Sequence, residues 1–193
     1  MPDIDFRPAT PGDAKRLVEF VMMAGEGLPE MAWAEMADPW QKPRDVGLAR
    51  AERDEGSFSY RNATMAQRLG RVLGGMIGYA LPDDPVEIGP GFPAPFVPLQ
   101  ELENMATGTW YLNVLAVYPE LRGQGLGGRL LERAEWIAKR QGRSGVSIIA
   151  FASNPGAVRL YLRMGFEEIA RRRMAVPGWA HDGTDAILLV KPV

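Results

Sequence analysis

Cysteine is absent from this chain of 193 residues, and histidine occurs only once, at His181. The lack of cysteine excludes disulfide bonds, thiolate metal sites and a cysteine nucleophile. A single histidine cannot supply a metal site that needs several imidazole ligands. The sequence therefore predicts no metal centre, and any group transfer must proceed without a covalent intermediate on cysteine.

Long apolar runs and an excess of basic residues are also missing. No stretch approaches the roughly 18 apolar residues of a membrane-spanning helix, and residues 1–7 contain two aspartates, unlike a signal peptide. The formal net charge of −2 provides no overall basic field for nucleic acid. We expect a cytoplasmic protein with neither a membrane nor a nucleic-acid partner, folded as a single domain over residues 1–193.

Hydrophobic periodicity and turn residues predict strands and helices in a definite order along the chain. The predicted strands lie at residues 4–7, 60–67, 71–81, 110–117, 146–151, 166–176 and 184–190, the second and third forming a hairpin. The predicted helices lie at residues 11–24, 29–36, 43–55, 99–105, 126–141 and 155–164. This order implies a mixed sheet with helices on its faces, an α/β or α+β architecture. The strands 110–117 and 146–151, joined by a helix, should be parallel.

A proline-rich insertion at residues 82–108 interrupts this pattern. Six of the sixteen prolines lie between Pro82 and Pro98. A connection of this length in a compact domain is usually functional or disordered. The segment could cover an acceptor site, or it could form the contact of a homodimer.

A glycine-rich loop, RGQGLGG at residues 122–128, stands between a predicted buried strand and an amphipathic helix. The first turn of a helix has unpaired N–H groups, its dipole favours negative charge, and glycine lets a phosphate approach the backbone. Arg122 adds a fork of donors suited to phosphate. The loop therefore predicts a phosphate-binding site, with a purely structural turn as the alternative.

Two nucleotide-binding patterns resemble this loop only in part. Gly123 and Gly128 have the spacing of a P-loop, but arginine and leucine follow where lysine and serine or threonine are required. Gly123, Gly125 and Gly128 also match the dinucleotide pattern G-x-G-x-x-G. No acidic residue follows the next strand at residues 152–154, where a ribose partner belongs. A dinucleotide-binding protein therefore remains only an alternative.

The stretch LNVLAVYPELRGQGLGG, residues 112–128, resembles the acyl-CoA-binding motif of the GNAT superfamily of N-acetyltransferases. That motif has arginine or glutamine, two residues, glycine, one residue, then glycine or alanine, and Arg122, Gly125 and Gly127 match it. A second stretch at residues 154–166 resembles the family's next motif. Its matching positions are Asn154, Ala157, Leu160, Tyr161, Gly165 and Phe166.

The resemblance implies a fold and an activity. The fold would be a mostly antiparallel mixed sheet with a central parallel pair splayed in a V, and helices on both faces. The activity would be transfer of an acetyl group from acetyl-CoA, the cosubstrate, to a primary amine by direct attack on the thioester. A non-catalytic acyl-CoA-binding module is the alternative function.

The resemblance also implies which residues hold the donor. Backbone groups on the strand 110–117 would pair with the pantetheine arm, and N–H groups of the glycine loop would hold the pyrophosphate. The implied acyl-CoA contacts are Leu115, Ala116, Val117, Arg122, Gly123, Gln124, Gly125, Leu126, Gly127, Gly128, Asn154, Ala157 and Tyr161.

Two catalytic roles are expected at the thioester. The backbone N–H of Leu115 is the candidate donor to the developing oxyanion. Tyr161 is the candidate acid, since a phenol with a pKa of about 10 can donate to a departing thiolate. From helical spacing alone, Tyr161 shares a face with Leu160 and Met164 and could be a core residue.

The general base and the acceptor amine are not identified by the sequence. Residues 110–113 offer no carboxylate where the histone-acetylating branch of the family has a glutamate. Glu101 and Glu103 precede that strand and are candidates for the base because they could reach the cleft, although their positions are more typical of solvated surface charges. A water chain to solvent is the other candidate for the base. Acidic residues near Trp33 and Trp40 would suit a cationic amine, although core tryptophans and surface charges explain them equally well. The acidic residues are Glu26, Glu30, Glu35 and Asp38.

Overall fold

The computed structural model describes residues 4–193, so Met1–Asp3, part of the segment that argued against a signal peptide, lie outside the described residues. Residues 4–193 form seven strands and six α-helices. The strands are β1 (Asp5–Pro8), β2 (Ala63–Arg68), β3 (Arg71–Ala80), β4 (Trp110–Val117), β5 (Gly145–Phe151), β6 (Glu167–Arg173) and β7 (Asp185–Pro192). The helices are α1 (Ala14–Ala24), α2 (Leu28–Met36), α3 (Pro43–Ala51), α4 (Val97–Glu103), α5 (Leu126–Arg140) and α6 (Pro155–Arg163).

The strands are ordered β1-β2-β3-β4-β5-β7-β6 in one sheet. β4 and β5 are parallel, whereas β1 with β2, β2 with β3, β5 with β7, and β6 with β7 are antiparallel. This topology confirms the predicted mixed, mostly antiparallel sheet and its parallel pair. The chain divides into two compact units, one up to Gly78 together with Val114–Leu130, the other containing Tyr79–Asn113 and Leu131–Val193. The single domain over residues 1–193 stays a prediction.

The first unit contains α1 to α3 and the hairpin of β2 and β3. Leu17 and Phe20 of α1 are buried with Met65 of β2 and Ile77 of β3 in its hydrophobic core. These apolar side chains recur at helical spacing in α1 and on the strands, so burying them together stabilises the unit. The hairpin is formed as predicted, but its turn is shorter than the three residues left between the predicted strands, because Arg68 pairs with Arg71 and the turn comprises Leu69 and Gly70.

A buried carboxylate holds the start of α1. Asp13 is 3% exposed, and its oxygens accept hydrogen bonds from Arg7 at 2.7 and 2.9 Å and from the Thr10 N–H at 2.9 Å. The Arg7 guanidinium, followed by the Thr10 donors, lowers the pKa of Asp13 to about 2. Asp13 thereby reaches back to Thr10, which precedes the 3-10 turn that leads into α1, and forms a capping box with it.

The second unit contains α4, α6 and the strands β5 to β7. β5 pairs with β7 along its whole length, from Gly145 opposite Pro192 to Phe151 opposite Ala186. The hydroxyls of Thr109 and Ser147 are buried and lie 2.7 Å apart. Because the Thr109 hydroxyl donates to the Ala106 carbonyl at 2.6 Å, it accepts from Ser147, and both buried groups are satisfied. Within residues 4–193, no helix has both the length and the apolar character needed to cross a membrane.

Three predicted boundaries were wrong for local reasons. α3 ends at Ala51 instead of residue 55, and β2 begins at Ala63 because residues 60–62 form a 3-10 turn. That turn is capped by the Ser59 hydroxyl, which accepts from the Arg61 N–H at 3.1 Å. β6 ends at Arg173, since the Val176 N–H donates to the Asp182 side chain at 2.7 Å instead of to a strand.

Candidate functional site

The backbone of β4 presents alternate residues to opposite sides. Tyr118, directly after the strand, donates its N–H to the Leu73 carbonyl of β3 at 3.2 Å. The Ala116 carbonyl also faces β3, because it lies against the position that a Cβ on Gly74 would occupy. Since backbone groups alternate along a strand, the N–H groups of Leu115 and Val117 face away from β3. Ala116 was predicted to contact the acyl arm with them, but its backbone is directed to β3.

The parallel ladder between β4 and β5 is short. Within the described part of the chain it comprises two residue pairs, Trp110 with Val146 and Tyr111 with Ser147. β4 nevertheless continues to Val117. Leu112 and Asn113, which lie in the same unit as β5, therefore follow the end of the ladder.

The glycine loop leaves six consecutive amides without a backbone acceptor. Among residues 4–193, the N–H groups of positions 123–128 make no backbone hydrogen bond, and the first that does is Arg129, to the Gly125 carbonyl at 3.2 Å. Gly123 and Gly125 have φ values of 74° and 81°, a region that glycine adopts readily. α5 begins at Leu126, so its first turn is part of this group. The arrangement is an anion-binding geometry, as the sequence predicted.

Arg122 supports the loop from one side. Its Nε donates to the Val117 carbonyl at 3.1 Å, and one of its terminal nitrogens lies 3.9 Å from the Met23 sulfur. Gln124 contacts the Glu120 carbonyl at 3.5 Å. The arginine therefore ties the loop to the end of β4 with one nitrogen. The Val117 carbonyl, which was expected to serve the acyl arm, already has this donor.

The second motif forms the start of α6. The Asn154 side chain accepts a hydrogen bond from the Ala157 N–H at 3.1 Å, which makes Asn154 the N-cap of the helix. Pro155 follows at the first helical position, where its missing N–H costs nothing. The predicted helix start is confirmed, and the Asn154 side chain and the Ala157 N–H are hydrogen-bonded to each other.

Tyr161 of α6 is buried. It is 5% exposed, and its ring centroid lies 6.0 Å from that of Phe166. Burial raises the pKa of the phenol, so the group stays protonated at neutral pH. Its hydroxyl makes no hydrogen bond with any residue from 4 to 193. Tyr161 thus packs as a core residue does and also keeps a proton available for donation.

The two candidate glutamates differ sharply. Glu101 forms an ion pair with Arg172 at 2.6 Å. Glu103, two positions further along α4, is half-buried, and burial raises its pKa to about 7. The expectation of two solvated surface charges was therefore wrong for Glu103. Nothing in its sequence neighbourhood distinguishes it from Glu101, because the difference arises from long-range packing.

The acidic and aromatic segment of α2 is mostly structural. Trp33 is buried and stacks on Phe58 with ring centroids 5.9 Å apart. Glu30 is paired with Arg44 at 3.1 Å. Trp40 alone of the two tryptophans is open to solvent, at 89% exposure. The core alternative is thus confirmed for Trp33.

Comparison with known proteins places these motifs in a family. The acetyltransferase (GNAT) family matches residues 26–166. An uncharacterized N-acetyltransferase of Methanocaldococcus jannaschii is 37% identical over 68 residues, which cover 35% of this chain and 28% of that protein. A crystal structure of an acetyltransferase has a TM-score of 0.66 at 19% identity, covering 98% of this chain and 99% of that one. A GNAT family acetyltransferase from Elizabethkingia anophelis with acetyl-CoA bound has a TM-score of 0.58 at 20% identity, covering 98% of each chain.

These similarities carry different weight. The aligned segment spans only 28% of the archaeal relative, and the solved structures are similar in fold alone. The family match, in contrast, runs through the glycine loop at residues 122–128 and the start of α6. The glycines with the literal dinucleotide spacing therefore lie inside the matched acetyltransferase domain. This chain belongs to the GNAT acetyltransferase family.

Proposed function

We propose that this protein transfers the acetyl group of acetyl-CoA to a primary amine by direct attack of the amine on the thioester. The observation that carries the proposal is the run of six unpartnered amides at residues 123–128, at the start of α5. A pyrophosphate bears the negative charge and acceptor oxygens that such a run favours. The related structure from Elizabethkingia anophelis, which has acetyl-CoA bound, supports the choice of donor.

Backbone and helix-start groups hold the donor in this proposal. The amides from Gly123 to Gly128 bind the pyrophosphate, while Arg122 braces the loop through the Val117 carbonyl and keeps its remaining nitrogens for phosphate. On the side of β4 that faces away from β3, the Val117 N–H and the Leu115 carbonyl pair with the amides of the pantetheine arm, which leaves the Leu115 N–H for the thioester oxygen. Asn154 and Ala157, at the start of α6, contact the same arm.

The chemistry needs no covalent intermediate. The amine nitrogen forms a bond to the thioester carbon, the carbonyl oxygen gains negative charge, and the Leu115 N–H donates to it. The C–S bond then breaks, and Tyr161 gives its proton to the thiolate of CoA. The new amide nitrogen loses one proton, and a proton from solvent restores the Tyr161 phenol. The products are an acetylated amine and free CoA. Positioning of the two substrates provides the remaining rate enhancement.

Thermal unfolding with acetyl-CoA, and with NAD as the matched control, tests the donor. A ligand at a hundredfold its Kd adds about 2.7 kcal/mol, and each kcal/mol raises the midpoint by about 2–4 °C in a protein of this size. We expect a rise of several degrees with acetyl-CoA and none with NAD. A rise with NAD alone would contradict the donor assignment.

Release of CoA tests the reaction itself. The chain contains no cysteine, so a thiol reagent reports only the CoA produced, without a background from the protein. The amines are 1,4-diaminobutane for small acceptors, an alanyl tripeptide for N-terminal acceptors, and Nα-acetyl-lysine amide, whose side-chain amine is free, for lysine acceptors. Binding of acetyl-CoA without turnover of any amine would favour a non-catalytic acyl-CoA-binding module instead.

A further inference from the structure

A small pocket, with about 60 Å³ of space, opens in the second unit between the segment that follows β3 and helix α4. Its apolar lining includes Leu81 and Val86, and its acidic groups are Asp84 and Glu103. The described residues that line it include no basic side chain. The pocket therefore combines an apolar wall with negative charge, which is the chemistry of an alkylammonium site.

Hydrogen bonds fix the walls of this pocket. The Asn104 side chain accepts from the Val86 N–H at 2.9 Å and donates to the Val86 carbonyl at 2.8 Å. Gln100 donates to the same Asn104 oxygen at 3.1 Å. The Gly108 N–H donates to the Pro82 carbonyl at 2.9 Å. These bonds tie the proline-rich insertion to the end of α4, so the walls of the pocket are held by the Asn104 side chain and by the backbone pairing of Gly108 with Pro82.

Glu103 is the acid in this pocket that lacks a partner. Within residues 4–193 it forms no hydrogen bond or ion pair. Two positions earlier on α4, Glu101 forms an ion pair with Arg172 of β6 at 2.6 Å. Burial disfavours the charged form of Glu103, and its pKa of about 7 suits a group that must exchange a proton at neutral pH.

The other charged and titratable groups on the elements around α4 leave Glu103 without a cation. Tyr111 of β4 is a neutral phenol, since burial raises its pKa well above the ordinary value, and its ring lies edge-on to that of Tyr79 of β3 with centroids 5.7 Å apart. On β7, Lys191 is bonded to Glu135 at 2.6 Å, and Asp185 lies within 4.0 Å of Arg171 and Arg173. β5 contains no charged residue.

Glu103 lies within electrostatic reach of the central strand. Burial, and after it the charge of Glu103, raises the pKa of Tyr111 on β4. Tyr111 belongs to the stretch 110–113, which lacks the carboxylate that the histone-acetylating branch of the family has on this strand. Helix α4 thus brings a carboxylate from the insertion to a strand that has none of its own.

We propose that Glu103 is the general base of this acetyltransferase and that the pocket beside it receives the ammonium end of the acceptor. This inference rests on the proposed amine acetylation. The Glu103 carboxylate takes one proton from the ammonium, directly or through one water, and the neutral amine then attacks the thioester carbon. The proton passes to solvent after the acetylated amine leaves, so Glu103 returns to its ionised form. The narrow, partly apolar pocket fits an unbranched primary alkylamine.

The test is kcat/KM as a function of pH for the wild type, Glu103→Gln and Glu101→Gln, with the same three amines. We expect wild-type kcat/KM to rise through pH of about 7. Glu103→Gln should lose about 10²–10⁴-fold at pH 7, the usual contribution of a general base, and lose that rise. The difference in kcat/KM between Glu103→Gln and the wild type should become smaller at high pH, where the amine loses its proton to solvent without a base. Glu101→Gln, on the same helix, should keep the wild-type profile.

Two further measurements separate the possible failures. Glu103→Asp should recover part of the rate and the pH-dependent rise, which a merely structural role of Glu103 would not produce. The rise in unfolding midpoint with acetyl-CoA should be unchanged in all variants. A Glu103→Gln enzyme with the wild-type rate and pH profile would overturn the base assignment and leave the proposed function standing. Absence of turnover by the wild type with every amine would overturn both.

Discussion

Tyr161 shows how one buried side chain can serve both packing and chemistry. Its ring packs near Phe166, while its hydroxyl has no partner among the described residues and its pKa is raised by burial. A raised pKa makes a phenol a weaker acid toward water. It still suits donation to a thiolate, which becomes a strong base at the moment the C–S bond breaks.

Replacing Tyr161 by phenylalanine should separate these two contributions. The ring and its contacts stay, so we expect an unchanged fold and a KM for acetyl-CoA within about twofold of the wild type. The proton donor is lost, so kcat should fall by about 10²-fold. Steady-state kinetics with saturating acetyl-CoA checks this, and an unaltered kcat would remove Tyr161 from the mechanism.

At the scale of elements, the sequence predicted those whose boundaries are set locally. β4 was predicted at residues 110–117, as observed, because an apolar run ends before Pro119. The start of α6 was predicted from Asn154 and Pro155, a cap and a first-turn proline. The burial of Glu103 could not be predicted, since it depends on the insertion folding back through Val86 and Asn104.

The start of α5 offers a test of the glycine loop. Gly125 has φ 81° and open space where a Cβ would stand, so Gly125→Ala adds backbone strain without a clash. Strain should move the amides out of their anion-binding arrangement, and we expect acetyl-CoA affinity to fall by about tenfold or more, equivalent to about 1.4 kcal/mol. Gly142→Ala is the matched control, because Gly142 has φ 65° and similar open space after the other end of α5.

Isothermal titration with acetyl-CoA reports both variants. Gly142→Ala should lose stability to a similar extent and retain wild-type affinity. Equal losses of affinity in the two variants would mean that general destabilisation, and not the loop conformation, weakens binding.

At the scale of the whole molecule, two carboxyl groups shape the dependence of stability on pH in opposite directions. Asp13 has a folded pKa of about 2, below its ordinary 3.8, so its stabilisation is present above pH 4 and is lost as pH falls toward 2. Glu103 has a folded pKa of about 7, above its ordinary 4.5, so folding becomes less favourable as pH rises from 4.5 to 7. Asp54 and Glu168 also have lowered pKa values, but they are exposed and screened by solvent.

We therefore expect the free energy of unfolding to be greatest near pH 4–5, between these two titrations. Asp13→Asn should lower the free energy of unfolding by roughly 2 kcal/mol at pH 5, and this variant should lose less of its remaining stability than the wild type as pH falls below 4. Glu103→Gln should abolish the decline in the free energy of unfolding between pH 4.5 and 7.5. Urea unfolding at pH 2.5, 4.5 and 7.5 measures both effects, and a Glu103→Gln variant that still declines like the wild type would contradict the burial of this carboxylate.

The alternation of the β4 backbone has a further consequence for hydrogen exchange. The amides of Leu115 and Val117 face away from β3, and the ladder of β4 with β5 ends at Tyr111. Amide hydrogens in the middle of a sheet normally exchange with solvent only through large-scale opening. These two should instead exchange about as readily as those of an edge strand, so that occupancy by the cosubstrate becomes visible, residue by residue, as slowed deuterium uptake at Leu115 and Val117.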